Sequence, residues 1–311
     1  MRQIDRVDTG LLPQLMTCGD PDLPITRRTL KAVRDRSIQR IATKPVFGTT
    51  VPRSEVIATP DGPVCLDVFE PKDRSNCNPC LLWLHGGGYI MGQSEDMWNG
   101  PLFAEKTGCT VVSVDYRLAP EHPFPAGLND AFAALNWIYN NADTLQIDPS
   151  RIAIGGASAG AGLAAGLALY NRDRDGPPVR FQLLLYPMID NLHETASGRI
   201  PDHPVWCRSD SLAAWDMYLD GTPGLNASPY AAPSRAQDLS GLPPAFLSVG
   251  GVDLFVDESV DYAARMEKSG GTCGIQTYPG VFHAAEVAGF DTQVGRRMVD
   301  DYVAALQAAF V

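Results

Sequence analysis

Histidine is scarce in this 311-residue chain, with five in all. No two histidines or carboxylates stand at metal-ligand spacing, so no metal centre is expected. Basic residues are also outnumbered: 25 Lys and Arg against 36 Asp and Glu give a formal charge of −11. A surface of that sign repels phosphate and sets nucleic acid and anionic membranes aside as partners. No run of about 20 strongly apolar residues is present, so neither a membrane span nor stable membrane anchoring is expected. The opening MRQIDRVDTG lacks the apolar core of a secretory signal. Cysteine supplies no framework: the seven (18, 65, 77, 80, 109, 207 and 273) are odd in number and scattered, which suits reduced thiols in a cytoplasmic protein. Cys77 and Cys80 form a C-x-x-C with no second pair nearby, and read as two incidental loop thiols rather than a zinc or redox motif. Repeats and low-complexity tracts are absent, and a hydrophobic share of 45% is that of a folded globular protein.

What the chain does have is alternation. Residues 1–45 are polar and helix-leaning, with Leu30, Val33, Ile38 and Ile41 of TRRTLKAVRDRSIQRIA at roughly helical spacing. SEVIAT and PVCLDVFEP, separated by PDG, read as two strands about a turn. Strands predicted at CLLWL, CTVVSVD, RIAIGG, FQLLLYPMID, PPAFLSVGG and CGIQTYPG then alternate with helices at LNDAFAALNWIYNNAD, AGLAAGLALYNRD, VDESVDYAARMEKSG and DTQVGRRMVDDYVAALQAAF. Strands apolar throughout and separated by helices require a parallel sheet covered on both faces. Residues 191–240, rich in Pro, Trp and Ser, interrupt the pattern and carry the helix-like SDSLAAWDMYLD. With residues 1–45 they read as a lid over a core made of 46–190 and 241–311.

The stretch RIAIGGASAGAGLAAGLALY, from Arg151 to Tyr170, admits three readings. As a membrane span it is too rich in Gly and Ala. As a dinucleotide fingerprint, Gly160, Gly162 and Ala165 fit G-x-G-x-x-A, with Asp190 as the ribose-binding acid. Asp190, however, lies 30 residues past Gly160 instead of about 20. As a nucleophile elbow, Gly156, Ser158 and Gly160 fit G-x-S-x-G, where side chains at the flanking positions would collide with neighbouring backbone. A serine hydroxyl is a poor nucleophile at neutral pH and needs a histidine base, itself oriented by a carboxylate. Asp253, directly after AFLSVGG, and His283, in YPGVFHAAE, follow Ser158 in the order this arrangement demands, each after a strand. HGGG at 85–88 ends another strand, where consecutive glycines can turn peptide N–H groups towards an oxyanion, and the N–H of Ala159 opens the following helix.

HGGGYIMG, DYRLAPEHPFPA, GGASAGAGLAA, DLSGLPPAFLSVGGVDLFVDE and YPGVFH together resemble the hormone-sensitive-lipase-type (bacterial family IV) esterases. The resemblance implies an α/β-hydrolase fold: a mostly parallel sheet with helices on both faces, plus a helical cap built from the N-terminal helices and an insertion. It implies a cofactor-free serine carboxylesterase acting on small-molecule esters of short to medium acyl chains, with Ser158 as nucleophile, Asp253 as orienting acid and His283 as base. It further implies that Gly87, Gly88 and Ala159 supply the oxyanion hole. A homodimer is compatible with the family, and lactone, acetyl or amide hydrolysis would use the same machinery. Two positions depart from the pattern. Ala157 stands where the elbow most often carries an acid, and Ala284 where glycine often follows the histidine.

Neighbouring residues have plainer expectations. Asp257 competes with Asp253 as the acid but suits a helix N-cap. His85 and His122 read as loop-fixing, and His193 and His203 as surface residues of the lid. Asp115, Tyr116 and Arg117 read as buried polar contacts for the proline-rich loop. Trp215 and Phe282 read as packing residues, whereas Trp98 and Trp206 are candidates for lining the substrate pocket.

Overall fold

Strands without polar alternation become the centre of a sheet, because both of their faces need cover. The computed structural model describes residues 2–16, 18, 23–41, 47–73, 77–96 and 99–311, and among these eight strands form one sheet. They are β1 (Arg53–Thr59), β2 (Gly62–Phe69), β3 (Asn78–Leu84), β4 (Thr110–Asp115), β5 (Ile147–Ala157), β6 (Phe181–Leu185), β7 (Ala245–Gly250) and β8 (Cys273–Tyr278). Their order is β1-β2-β4-β3-β5-β6-β7-β8. β1 and β2 pair antiparallel, as do β2 and β4, and the remaining pairings are parallel. Every residue of β3 and of β6 is buried. Cys80 therefore belongs to the interior of β3 and is not a loop thiol.

Ten helices accompany the sheet among the described residues. The short α1 (Leu12–Leu15) and α2 (Leu30–Ile41) precede it, α3 is Gly100–Thr107, α4 is Ala126–Asn140, and α5 is Ala142–Leu145. They are followed by α6 (Ala159–Arg172), α7 (Arg208–Tyr218), α8 (Val256–Lys268), α9 (Ala285–Ala288) and α10 (Gln293–Ala309). The two-residue period of β3 sorts its side chains between two cores. Leu82 and Leu84 join the apolar cluster containing residues of α4, α6 and α8, whereas Leu81 and Trp83 join the cluster of α3 and α10.

The N-terminal segment and the β6–β7 connection meet each other and the core. The N–H of Ile25 donates to Asp210 Oδ1 at 3.1 Å. Arg34 donates to the Ile90 and Ala119 carbonyls (2.7 and 2.9 Å) and pairs with Glu121. In α2, Leu30 is buried and Val33 half-buried, but Ile38 is 51% exposed. Ile38 thus departs from the apolar stripe that the sequence spacing suggested, and the side chain of Ile41 lies outside those described.

The β5–α6 turn brings Gly160 against the C-terminal end of β3. A methyl group there would overlap the carbonyl oxygens of Leu84 and His85, both fixed backbone atoms. Gly160→Ala is expected to lower stability by about 1–3 kcal/mol, the usual cost of overpacking, read as a fall in Tm. An unchanged Tm would contradict this packing.

Candidate active site

The chain breaks sharply between β5 and α6, and Ser158 sits at the break with φ 57° and ψ −120°. That backbone is strained for a residue bearing a side chain, at a cost of order 1–3 kcal/mol. Three hydrogen bonds hold it. The Ser158 N–H donates to the Leu185 carbonyl at 2.9 Å, and the Ser158 carbonyl accepts from Gly162 and Met188 at 3.0 Å each. A side chain at Gly156 would collide with Gly160 and the Leu84 carbonyl, which is why the motif needs glycine there.

Two further loops converge on the hydroxyl. Asp253 follows β7 and His283 follows β8, and the Val252 N–H donating to the Val281 carbonyl (2.9 Å) ties those loops together. His283 Nε2 lies 3.0 Å from Ser158 Oγ, and His283 Nδ1 lies 2.8 Å from Asp253 Oδ2. The other carboxylate oxygen of Asp253 accepts the Phe255 N–H at 3.0 Å. All three residues are buried, Asp253 completely. With Nδ1–H donating to the carboxylate, Nε2 is left as an acceptor facing the hydroxyl. Such an arrangement can take the serine proton as the oxygen attacks an electrophile. Ala284, where glycine is commoner in the family, has φ 55°, so the loop keeps the left-handed turn despite the extra methyl group.

The glycine loop after β3 runs beside the elbow, where a Cβ on Gly86 would stand 3.0 Å from the Ala157 carbonyl oxygen and 3.5 Å from Ser158 Cβ. Gly87 and Gly88 have φ 119° and 61°, and the N–H groups of Gly87, Gly88 and Ala159 donate to no other group among the described residues. His85 fixes the start of this loop. Its Nδ1 lies 2.8 Å from the Gly86 carbonyl, and its ring stacks on Tyr116 at 4.2 Å. The Tyr116 hydroxyl donates to the His85 carbonyl at 2.7 Å. Burial pushes the His85 imidazole down to about 4, so it is neutral near pH 7.

Several neighbours differ from expectation. His193 and His203 are buried, not on the surface. His193 Nε2 lies 2.8 Å from Ser211 Oγ in α7, and Nδ1 lies 3.3 Å from Glu258 in α8. Burial pushes His193 down to about 4 and Glu258 well up. His203 reaches the carbonyls of Val252 and Ser197 at 3.0 and 2.9 Å. Asp257 is not an N-cap, since Phe255 holds that position; its carboxylate accepts the Ser197 N–H at 2.7 Å. His122 is exposed and holds its loop through its N–H, which donates to the Leu118 carbonyl. Arg117 pairs with the buried Asp130 at 2.8 Å, but Asp115 is exposed. Phe282 and Trp215 are buried packing residues. Trp206 is at the site, its ring 6.4 Å from that of His283, whereas Trp98 lies outside the described residues. Tyr186, which the sequence did not single out, packs its edge on the His283 ring at 4.8 Å and donates to Glu286 at 2.5 Å. Its only sequence signal was its place at the end of β6, beside the elbow.

The glycines of the dinucleotide reading are occupied by protein. A Cβ at Gly160 or Gly162 would meet the backbone of Leu84 or Met188, and Asp190 pairs with Arg235 at 2.6 Å. Among the described residues no group of three or more His, Cys, Asp or Glu is placed to hold a metal ion, and no helix is long and apolar enough to cross a membrane.

Comparison with known proteins shows the family of the fold. A family model described as alpha/beta hydrolase fold matches residues 81–287. Esterase LipI of Mycobacterium tuberculosis is 36% identical over 253 residues, covering 78% of this chain and 76% of its own. Carboxylesterase NlhH of the same species is 40% identical over 229 residues, covering 69% and 68%. Among solved structures, a bacterial heroin esterase superposes with TM-score 0.89 at 35% identity over 99% of both chains. The chain belongs to the α/β-hydrolase family, in its hormone-sensitive-lipase-type branch.

The buried imidazoles have a consequence for stability. His85 and His193 have folded-state values near 4, below the ordinary 6.5 of the unfolded chain. The unfolded state therefore binds more protons between those values, so stability is full above about pH 6.5 and falls as pH drops towards about 4. Denaturant unfolding across that range should show the decline, and NMR should find His85 neutral at pH 6. A His85 that titrates near 6.5 would contradict its burial.

Proposed function

We propose that the protein is a serine carboxylesterase that hydrolyses small-molecule esters of short- to medium-chain acids through an acyl-enzyme intermediate. The observation that carries the reading is the continuous relay Asp253–His283–Ser158, with hydrogen bonds of 2.8 and 3.0 Å, on a strained turn beside unengaged N–H groups. The relatives named esterase and carboxylesterase support the same activity.

In this reading His283 takes the proton of Ser158 as Oγ attacks the ester carbonyl. The negative charge developing on the carbonyl oxygen is met by the N–H groups of Gly87, Gly88 and Ala159, each worth about 10²–10³ in rate. The tetrahedral intermediate collapses, and His283 gives its proton to the departing alcohol. Water then enters, loses a proton to His283 and attacks the acyl-enzyme carbonyl, releasing the acid and restoring Ser158. Asp253 holds the imidazole in the tautomer required and stabilises its charged form. Nucleophile, base and oxyanion donors all come from the chain, so the reaction needs no cofactor. The described residues within 1–45, together with 191–240, form the cap in this account, with Trp206 lining the acyl or alcohol pocket beneath it.

Ser158→Ala should lower kcat by about 10⁴-fold or more with the fold retained, and Asp253→Asn by about 10⁴-fold. Near-normal hydrolysis by Ser158→Ala would remove that residue from the mechanism. On p-nitrophenyl esters from acetate to palmitate, kcat/KM should peak at the short end. A maximum at palmitate would contradict the small-ester assignment.

A further inference from the structure

The indole of Trp206 is nine-tenths buried, and its N–H meets no acceptor among the described residues. Its position is defined from two sides. A Cβ on Gly88 would stand 2.6 Å from Trp206 Cη2 and 2.9 Å from Cζ2, so this edge of the six-membered ring lies on the glycine loop. The ring centre is 6.4 Å from that of His283. In indole, Nε1 and Cζ2 are both bonded to Cε2, so the N–H stands two bonds from the Cζ2 that lies against Gly88. Buried tryptophans ordinarily find a partner for this N–H, because leaving it unpaired forfeits the hydrogen bond it made to water. Trp215 and Tyr218 also carry unpartnered polar atoms, but they pack on Tyr89 (ring centres 5.2 and 3.9 Å) on the inner face of α7. Of the three, Trp206 is the one recorded near both the glycine loop and the catalytic-site histidine.

We propose that the Trp206 indole N–H is a specificity-determining donor to the substrate, selecting esters that carry a second hydrogen-bond acceptor close to the scissile carbonyl. The inference rests on the reading of Ser158 as the nucleophile, which places that carbonyl over Gly87 and Gly88. A purely hydrocarbon ester leaves the N–H unsatisfied. An ether, carbonyl or hydroxyl oxygen two or three atoms from the ester group satisfies it. The acceptor is carried on the acyl or on the alcohol side, and the two sides are separable by experiment.

The test compares the chain with Trp206→Phe on two ester pairs that differ by one methylene exchanged for oxygen. p-Nitrophenyl butyrate and methoxyacetate probe the acyl side; butyl and 2-methoxyethyl butyrate probe the alcohol side. Intrinsic reactivity cancels in the ratio of kcat/KM between parent and variant. In at least one pair the substitution should cost the ether ester about five- to tenfold more than its hydrocarbon partner, the size of one net hydrogen bond. Equal costs within both pairs would overturn the proposal. Should Trp206→Phe fail to fold, 3-benzothienylalanine at position 206, with sulphur for N–H in the same fused ring, gives the same readout. Ser158→Ala is run on all four esters. If it still hydrolyses them, the reading of Ser158 fails; if it is inactive and the ratios are equal, only the role of Trp206 fails.

Discussion

A serine held at φ 57°, between a strand that cannot continue and a helix that begins at the next residue, is the constraint around which the rest of the molecule is arranged. The strain persists because the surroundings over-determine it. Leu185 of β6 accepts the Ser158 N–H, Gly162 of α6 and Met188 just after β6 donate to its carbonyl, and the end of β3 presses the Leu84 and His85 carbonyls against the flanking glycines. No loop alone would hold such a turn. The centre of a parallel sheet does, since β5 is fixed on both sides by β3 and β6. The hydroxyl is thereby lifted off the C-terminal edge of the sheet, where the loops after β3, β7 and β8 also begin.

Burial gives those loops their chemical meaning. Asp253 is wholly enclosed yet satisfied, one oxygen facing the His283 ring and the other the Phe255 N–H. Charges and dipoles fixed in such surroundings act more strongly than in water and need no rearrangement as the reaction proceeds. Aromatic rings close the space around the imidazole: Tyr186, Phe255 and Trp206 lie 4.8, 5.2 and 6.4 Å away, centre to centre. The β6–β7 connection reaches the same neighbourhood from the other side, through Trp206 above Gly88 and through His203 bonded to Val252, the residue before Asp253.

Much of this was legible in the sequence because glycine, serine, aspartate and histidine in that order have few other uses. The glycines of GGASAG and HGGG declare backbone contacts that no other residue tolerates, and apolar strands alternating with helices gave the layer order. What was not legible depends on distant partners. His193 and His203 looked like surface residues of a polar insertion, but Glu258, Ser211, Val252 and Ser197, far away in sequence, enclose them. Asp257 looked like a cap because of its place before ESVDYAARM, but it lies inside the helix that begins at Val256, and its carboxylate takes the N–H of Ser197 in the β6–β7 connection. α3 escaped notice because its apolar residues Leu102, Phe103 and Ala104 are consecutive and set no helical period. The Tyr186–Glu286 pair joins residues a hundred positions apart, and nothing in either segment announces it.

The most direct measurement is covalent trapping with a fluorophosphonate probe, followed by peptide mass spectrometry and parallel assay of ester hydrolysis. A phosphorus electrophile bonds to an activated serine and mimics the tetrahedral intermediate. The account predicts one adduct per chain, on the peptide carrying Ser158, with hydrolysis lost in proportion to labelling. Hydrolysis that persists in fully labelled protein, or an adduct that forms on another residue while Ser158 stays unmodified, would contradict it.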